Sequence, residues 1–160
     1  MKKHSSKAKK KTTPKSSKAK HKTTSKMAPQ LVLDSSSESI HIVEKLIDAI
    51  CSTYKVNEDH YGNILVAITE ALNNAIHHGN KSHPDKKVHV TFKSDPKKMT
   101  FSIRDEGKGF DFNHLPDPTD PKNLEKPTGR GVFLMHRLAD KVEFSEKGRC
   151  VALEFALIAN

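Results

Sequence analysis

Apolar residues recur at two different periods along this chain, and each change of period marks an element. Ile40, Val43, Leu46, Ile47 and Ile50 follow one another at spacings of three and four behind a serine cluster at Ser35 to Ser37. This predicts an amphipathic helix ending near Tyr54. A second helix is predicted over 59–79, with Asp59 as N-cap, Gly79 as stop, and Tyr61, Leu65, Ile68, Leu72 and Ile76 as the stripe facing a core. The segments 30–33, 87–93, 99–103, 141–145 and 150–157 instead read as strands, most of them by period-two alternation, with turns at 94–97 and 146–149. Between the two strand pairs, Asn113 to Pro127 holds Pro116, Pro118, Pro121 and Pro127 with little apolar content, which suits a lid or an irregular segment. Thr128-Gly129-Arg130-Gly131 then opens a third helix, V-F-L-M-H-R-L-A-D. The order predicts an α+β fold, a two-layer sandwich with a mostly antiparallel sheet covered on one face by helices.

Charge divides the chain in two. Residues 1–28 hold eleven lysines and no acidic residue, so 29–160 keep 17 Lys and Arg against 19 Asp and Glu. The tail therefore carries +11 and the body −2, and the basic character belongs to the tail. With Met1 and Met27 as its large apolar side chains, the tail is expected to be disordered, ahead of a domain over 29–160. Two readings of it stand: a salt-sensitive grip on nucleic acid, or a solvated tail that aids solubility. No apolar run is long enough for a membrane span, and no apolar segment follows the basic start as in a signal peptide, so the expected location is cytoplasmic. Cys51 and Cys150 lack C-x-x-C spacing, and His77, His78, His83 and His89 do not match a zinc-ligand pattern.

Three stretches carry candidate chemistry. On the second helix, Glu70, Asn73, Asn74 and His77 fall on one side, Glu70 and Asn74 as i,i+4 neighbours. Two successive asparagines at mid-helix cost stability, which points to retention for a ligand. A carboxylate can take a proton from a hydroxyl, and a carboxamide oxygen suits Mg²⁺. In R-D-E-G-K-G-F-D, Asp105 ends a strand before Gly107 and Gly109, placing a fixed carboxylate beside backbone that can approach a flat ligand closely. At Gly129-Arg130-Gly131 a glycine-rich helix start offers backbone N–H groups to phosphate, and Arg130 a bidentate contact.

Taken together, E-A-L-N-N-A-I-H-H-G-N, R-D-E-G-K-G-F-D and T-G-R-G-V-F-L-M-H-R-L-A-D resemble, in order and spacing, the nucleotide-binding boxes of the gyrase and histidine-kinase ATPase superfamily. In its short form the chain resembles the anti-sigma factor serine/threonine kinases of bacterial partner switching. The resemblance implies ATP and Mg²⁺ as cofactors. It implies Glu70 as general base, Asn74 as magnesium ligand with Asn73 beside it, and Asp105 as acceptor for the adenine amino group. Gly107 and Gly109 would line the base pocket; Gly129, Arg130 and Gly131 would close over the phosphates, with Arg130 on the γ-phosphate. His77 is expected near the ligand. The implied partners are an anti-sigma-factor antagonist, phosphorylated on serine, and a sigma factor held inactive; dimerisation is common in that family. The alternative is a nucleotide-gated binding regulator without transfer. A Thr or Ser that helps fix adenine in relatives is replaced here by Gly148-Arg149-Cys150. A full sensor kinase would need a phosphoaccepting helical hairpin, and residues 1–55 offer one helix.

Overall fold

The period-two segments pair into one sheet, in which every pair is antiparallel. The computed structural model describes residues 29–123 and 129–157; the tail reading for 1–28 and the predicted helix entry at Thr128 lie outside them. The strands are β1 (Gln30–Asp34), β2 (Lys87–Ser94), β3 (Lys98–Arg104), β4 (Lys141–Ser145) and β5 (Cys150–Ala156), in the order β1-β2-β3-β5-β4. The chain passes β1, helices α1 (Glu38–Thr53) and α2 (Glu58–Asn73), the hairpin β2–β3, helix α3 (Arg130–Leu138), and the hairpin β4–β5. Register places Phe92 opposite Phe101, and Phe101 opposite Leu153. Alternate residues Val88, Val90, Met99, Phe101, Ile103, Val151, Leu153 and Phe155 are thereby buried on the face that receives the helices. Burying one such side chain contributes about 1.5–3 kcal/mol, so this face and the helix stripes hold the two layers together.

Helix α2 departs from its sequence pattern in two ways. Its N-cap is Asn57, not Asp59: Asn57 is extended, and its side chain accepts the His60 N–H at 2.8 Å. Asp59 instead sits in the first turn, where its charge complements the helix dipole. The buried stripe is also rotated from the predicted one, to Ile64, Ala67, Ile68, Ala71, Leu72, Ala75 and Ile76, with Tyr61 and Leu65 only partly buried. The reason is that α2 is packed between α1 and α3 as well as against the sheet, and small alanines let α3 come close. Beyond Asn73 the helix does not stop but widens into a π turn over Asn74–Gly79. Cys51 and Cys150 are both free thiols.

Candidate active site

A cavity of about 230 Å³ opens between α2, α3 and the strand ends. Ala71 of α2, Ala75 of the π turn, Ile103, Val132, Met135, Phe144 and Val151 make its walls apolar. Alanines along α2 leave room for a flat group to lie against the helix. The polar groups gather at two places, Asn74 and His78 on the π turn and Asp105 at the end of β3.

Asp105 is 7 % exposed. Its N–H donates to the Arg149 carbonyl at 2.9 Å, and its Oδ1 accepts the Gly107 N–H at 2.7 Å. The other carboxylate oxygen is left to meet a donor entering the cavity. Burial pushes the carboxyl above the ordinary aspartate range, while the Gly107 N–H and the Arg149 guanidinium pull it back. The loop after Asp105 is latched to the β4–β5 turn, since the Phe110 N–H donates to the Lys147 carbonyl at 2.9 Å. Gly109 makes that latch possible: it has φ +81°, and a Cβ there would stand 2.0 Å from the Lys147 oxygen. On the other side, Glu146, Lys147 and Gly148 all take positive φ.

At the second place, Glu70 and Asn74 face the start of α3. A Cβ on Gly131 would stand 2.9 Å from Glu70 Oε2 and 3.2 Å from the Asn74 amide nitrogen, so only glycine brings the helix start this near the pair. Gly129 caps α3 with φ +92° and supplies no side-chain hydrogen bond. The first bond inside α3 is from the Phe133 N–H to the Gly129 carbonyl, which leaves the preceding amides for a ligand.

The structure brings most of the sequence-predicted residues together. Asn74, Asp105, Gly109, Gly129 and Gly131 line the cavity, and Glu70 stands beside Asn74. Gly107 packs under the wall, on the Gly79 carbonyl. Arg130 is exposed at the head of α3, and Asn73 is partly buried; neither lines the cavity. His77 is exposed and turned to Ser82, with 2.9 Å between its Nδ1 and the Ser82 hydroxyl. His78 lines the cavity in its place. The spacing of four from Glu70 to Asn74 to His78, which keeps the three on one side of a helix, was the available signal. The aromatic part of the wall, Phe110 and Phe144 with centroids 5.5 Å apart, left no mark in the local patterns.

The model of the histidine kinase-like ATPase domain matches residues 33–155. The chain is 24% identical over 132 residues to the serine-protein kinase RsbW of Staphylococcus epidermidis, covering 78% of this chain and 83% of that one. It is 24% identical over 123 residues to RsbW of Halalkalibacterium halodurans (73% and 75% covered) and 22% identical over 120 residues to that of Bacillus cereus (71% and 74%). Among solved structures, the RsbU and RsbW domains of a Mycobacterium tuberculosis protein align with a TM-score of 0.51 and 15% identity, over 80% of this chain and 32% of that one. That alignment speaks for the fold alone.

Proposed function

The chain belongs to the histidine kinase-like ATPase domain family, and from that membership we propose that it is an ATP-dependent serine/threonine kinase of the anti-sigma type. It phosphorylates a serine of an anti-sigma-factor antagonist and sequesters a sigma factor, as a cytoplasmic domain over 29–160 behind its basic tail. Similarity to kinases named RsbW over most of their length supports the reading. Among the described residues, no helix is long and apolar enough to cross a membrane. The observation that carries the proposal is one cavity lined by both Asp105 and Asn74, with Glu70 beside Asn74. A binding module has use for the first group; the second adds a base next to a carboxamide.

The residues present fit a magnesium nucleotide. Asp105 has one oxygen engaged by Gly107 and one left for a base amino group, and its desolvation makes a missing donor costly. Ala71 and Ala75 leave space beside α2 for the base, and Phe110 and Phe144 add an apolar wall. Asn74 would hold Mg²⁺ through its carboxamide oxygen, with Asn73 adjacent. When bound, Mg²⁺ supplies charge neutralisation to the phosphates. The open amides and dipole of α3 would hold phosphate oxygens, and Arg130, exposed one residue before Gly131, would supply its guanidinium to the outermost one. His78 also lines the cavity. Glu70 would orient the serine hydroxyl and receive its proton as the hydroxyl oxygen bonds to the γ-phosphorus, the bond from that phosphorus to the β-phosphate oxygen breaks and ADP leaves. Most of the acceleration is positioning, and the base contributes on the order of 10²–10⁴-fold.

The test is transfer from γ-labelled ATP with Mg²⁺ to antagonist-type proteins of the same genome, by wild type and Glu70→Ala. Label on a partner serine with wild type only, and ATP affinity kept within about threefold in the variant, is the expected result. Equal labelling by the variant would overturn the role of Glu70. ATP binding by wild type with no transfer to any antagonist would replace the kinase by nucleotide-gated docking.

A further inference from the structure

Among the described residues, the most enclosed polar one lies just outside the cavity. Asn80 is 0% exposed and closes the π turn after Gly79. Its Nδ2 donates to the Ser35 hydroxyl and to the Lys87 carbonyl, both at 2.8 Å, and its Oδ1 accepts the Glu106 N–H at 2.7 Å. Ser35 in turn donates to the Lys86 carbonyl at 2.7 Å. A buried carboxamide with all these bonds made is well satisfied, and loss of one partner would leave a desolvated group unpaired.

We propose that Asn80 is a positioning residue for base recognition: through the Glu106 amide it fixes the peptide that follows Asp105 and so aims the Asp105 carboxylate into the cavity. The assignment rests on the adenine-nucleotide reading above. The peptide units flanking Asp105 are tied on both sides, its own N–H to the Arg149 carbonyl and the next N–H to Asn80. Glu106 then turns outward, its carboxylate accepting the Lys87 N–H at 3.0 Å and lying 2.9 Å from His89 Nε2. Adjacent residues thus point to opposite sides of a peptide held by Asn80, Asp105 inward and Glu106 outward. Gly79, next to Asn80, presses on the same carboxylate, since a Cβ there would stand 2.4 Å from Asp105 Cγ. Asn80 also continues the helix that carries Glu70 and Asn74, so the residue that sets the base contact is rigidly linked to those facing the phosphates. Ser35 and Lys87 hold the other side of the carboxamide and serve the packing of β1, α1 and β2.

The experiment separates positioning from stability with two nucleotides and three variants of the full chain. ATP and the triphosphate of purine riboside, which lacks the 6-amino group, are titrated calorimetrically, and unfolding midpoints are measured alongside. Asn80→Ala is expected to weaken ATP about tenfold, as for loss of one well-aligned polar contact, and the deamino analogue less than twofold. Ser35→Ala removes the acceptor on the other side; it should lower the midpoint and keep the wild-type ratio of affinities. If Asn80→Ala does not fold, Asn80→Asp, which keeps an acceptor for Glu106, should lose stability yet retain the ratio. Equal loss of both nucleotides in Asn80→Ala, an unchanged ratio there, or a ratio collapsed in Ser35→Ala would overturn the assignment. Wild-type chain that binds neither nucleotide would overturn the adenine reading itself, and this assignment with it.

Discussion

Asp105 combines a low exposure with one occupied and one open oxygen, and its titration should be visible in binding. Burial raises its pKa, so as pH falls the carboxyl takes up its proton sooner than an exposed aspartate would, and the acceptor proposed for the base amino group is lost. ATP affinity should therefore decline from a higher pH than ordinary aspartate chemistry predicts, and the decline should be absent in Asp105→Asn. The sign for folding is opposite: a raised carboxylate pKa costs stability where the group is ionised, and that cost fades as pH drops through the folded pKa. Asp105→Asn should accordingly weaken ATP by about 10- to 100-fold, the range for a hydrogen bond to a charged group, without lowering the unfolding midpoint. Calorimetric titrations at several pH values, with thermal melts, check both signs. Gly109→Ala acts differently. Its left-handed backbone and the 2.0 Å approach to the Lys147 oxygen mean that the latch must open. Strain of about 1–3 kcal/mol should appear in denaturant midpoints, together with loss of ATP binding.

Among the elements, α2 carries the site at one end and ordinary helix physics at the other. Asn57 and Glu70 are separated by about 20 Å at 1.5 Å per residue. Asn57→Ala should cost about 1 kcal/mol through the lost cap and leave ATP affinity unchanged; a change in affinity would show that the ends communicate. Leu72, fully buried in the last turn, should cost about 2–5 kcal/mol as Leu72→Ala by urea denaturation. Element type and order were legible because the periods of 3.6 and 2 are written in neighbouring residues. The strands β2 to β5 match their predicted spans to within a residue or so. The cap and the burial stripe of α2 were not, because a second helix packed on its flank rotates the buried face. Nor was the π turn over Asn74–Gly79, on which Asn74 and His78 line the cavity.

For the whole molecule, charge and fold are separable. The core and cavity lie within 33–155, so a chain of 29–160 should keep its unfolding midpoint and bind ATP within about twofold of the full chain. Whatever salt-dependent affinity for DNA the full chain shows should vanish in the truncated one, whose net charge of −2 repels phosphate. Titration of both chains with ATP and with DNA at two salt concentrations checks this. The sequence by itself determined the two layers, the division into basic tail and acidic body, and the three boxes, since each depends on composition or on residues a few positions apart. Tertiary structure alone decided the strand order that inserts β5 between β3 and β4, the burial of Asp105, and the meeting of Asn80 with Ser35, Lys87 and Glu106. Those contacts join segments as far as 45 residues apart. Local periodicity constrains which face of an element is buried, but the partner that buries it is selected by packing of the whole chain.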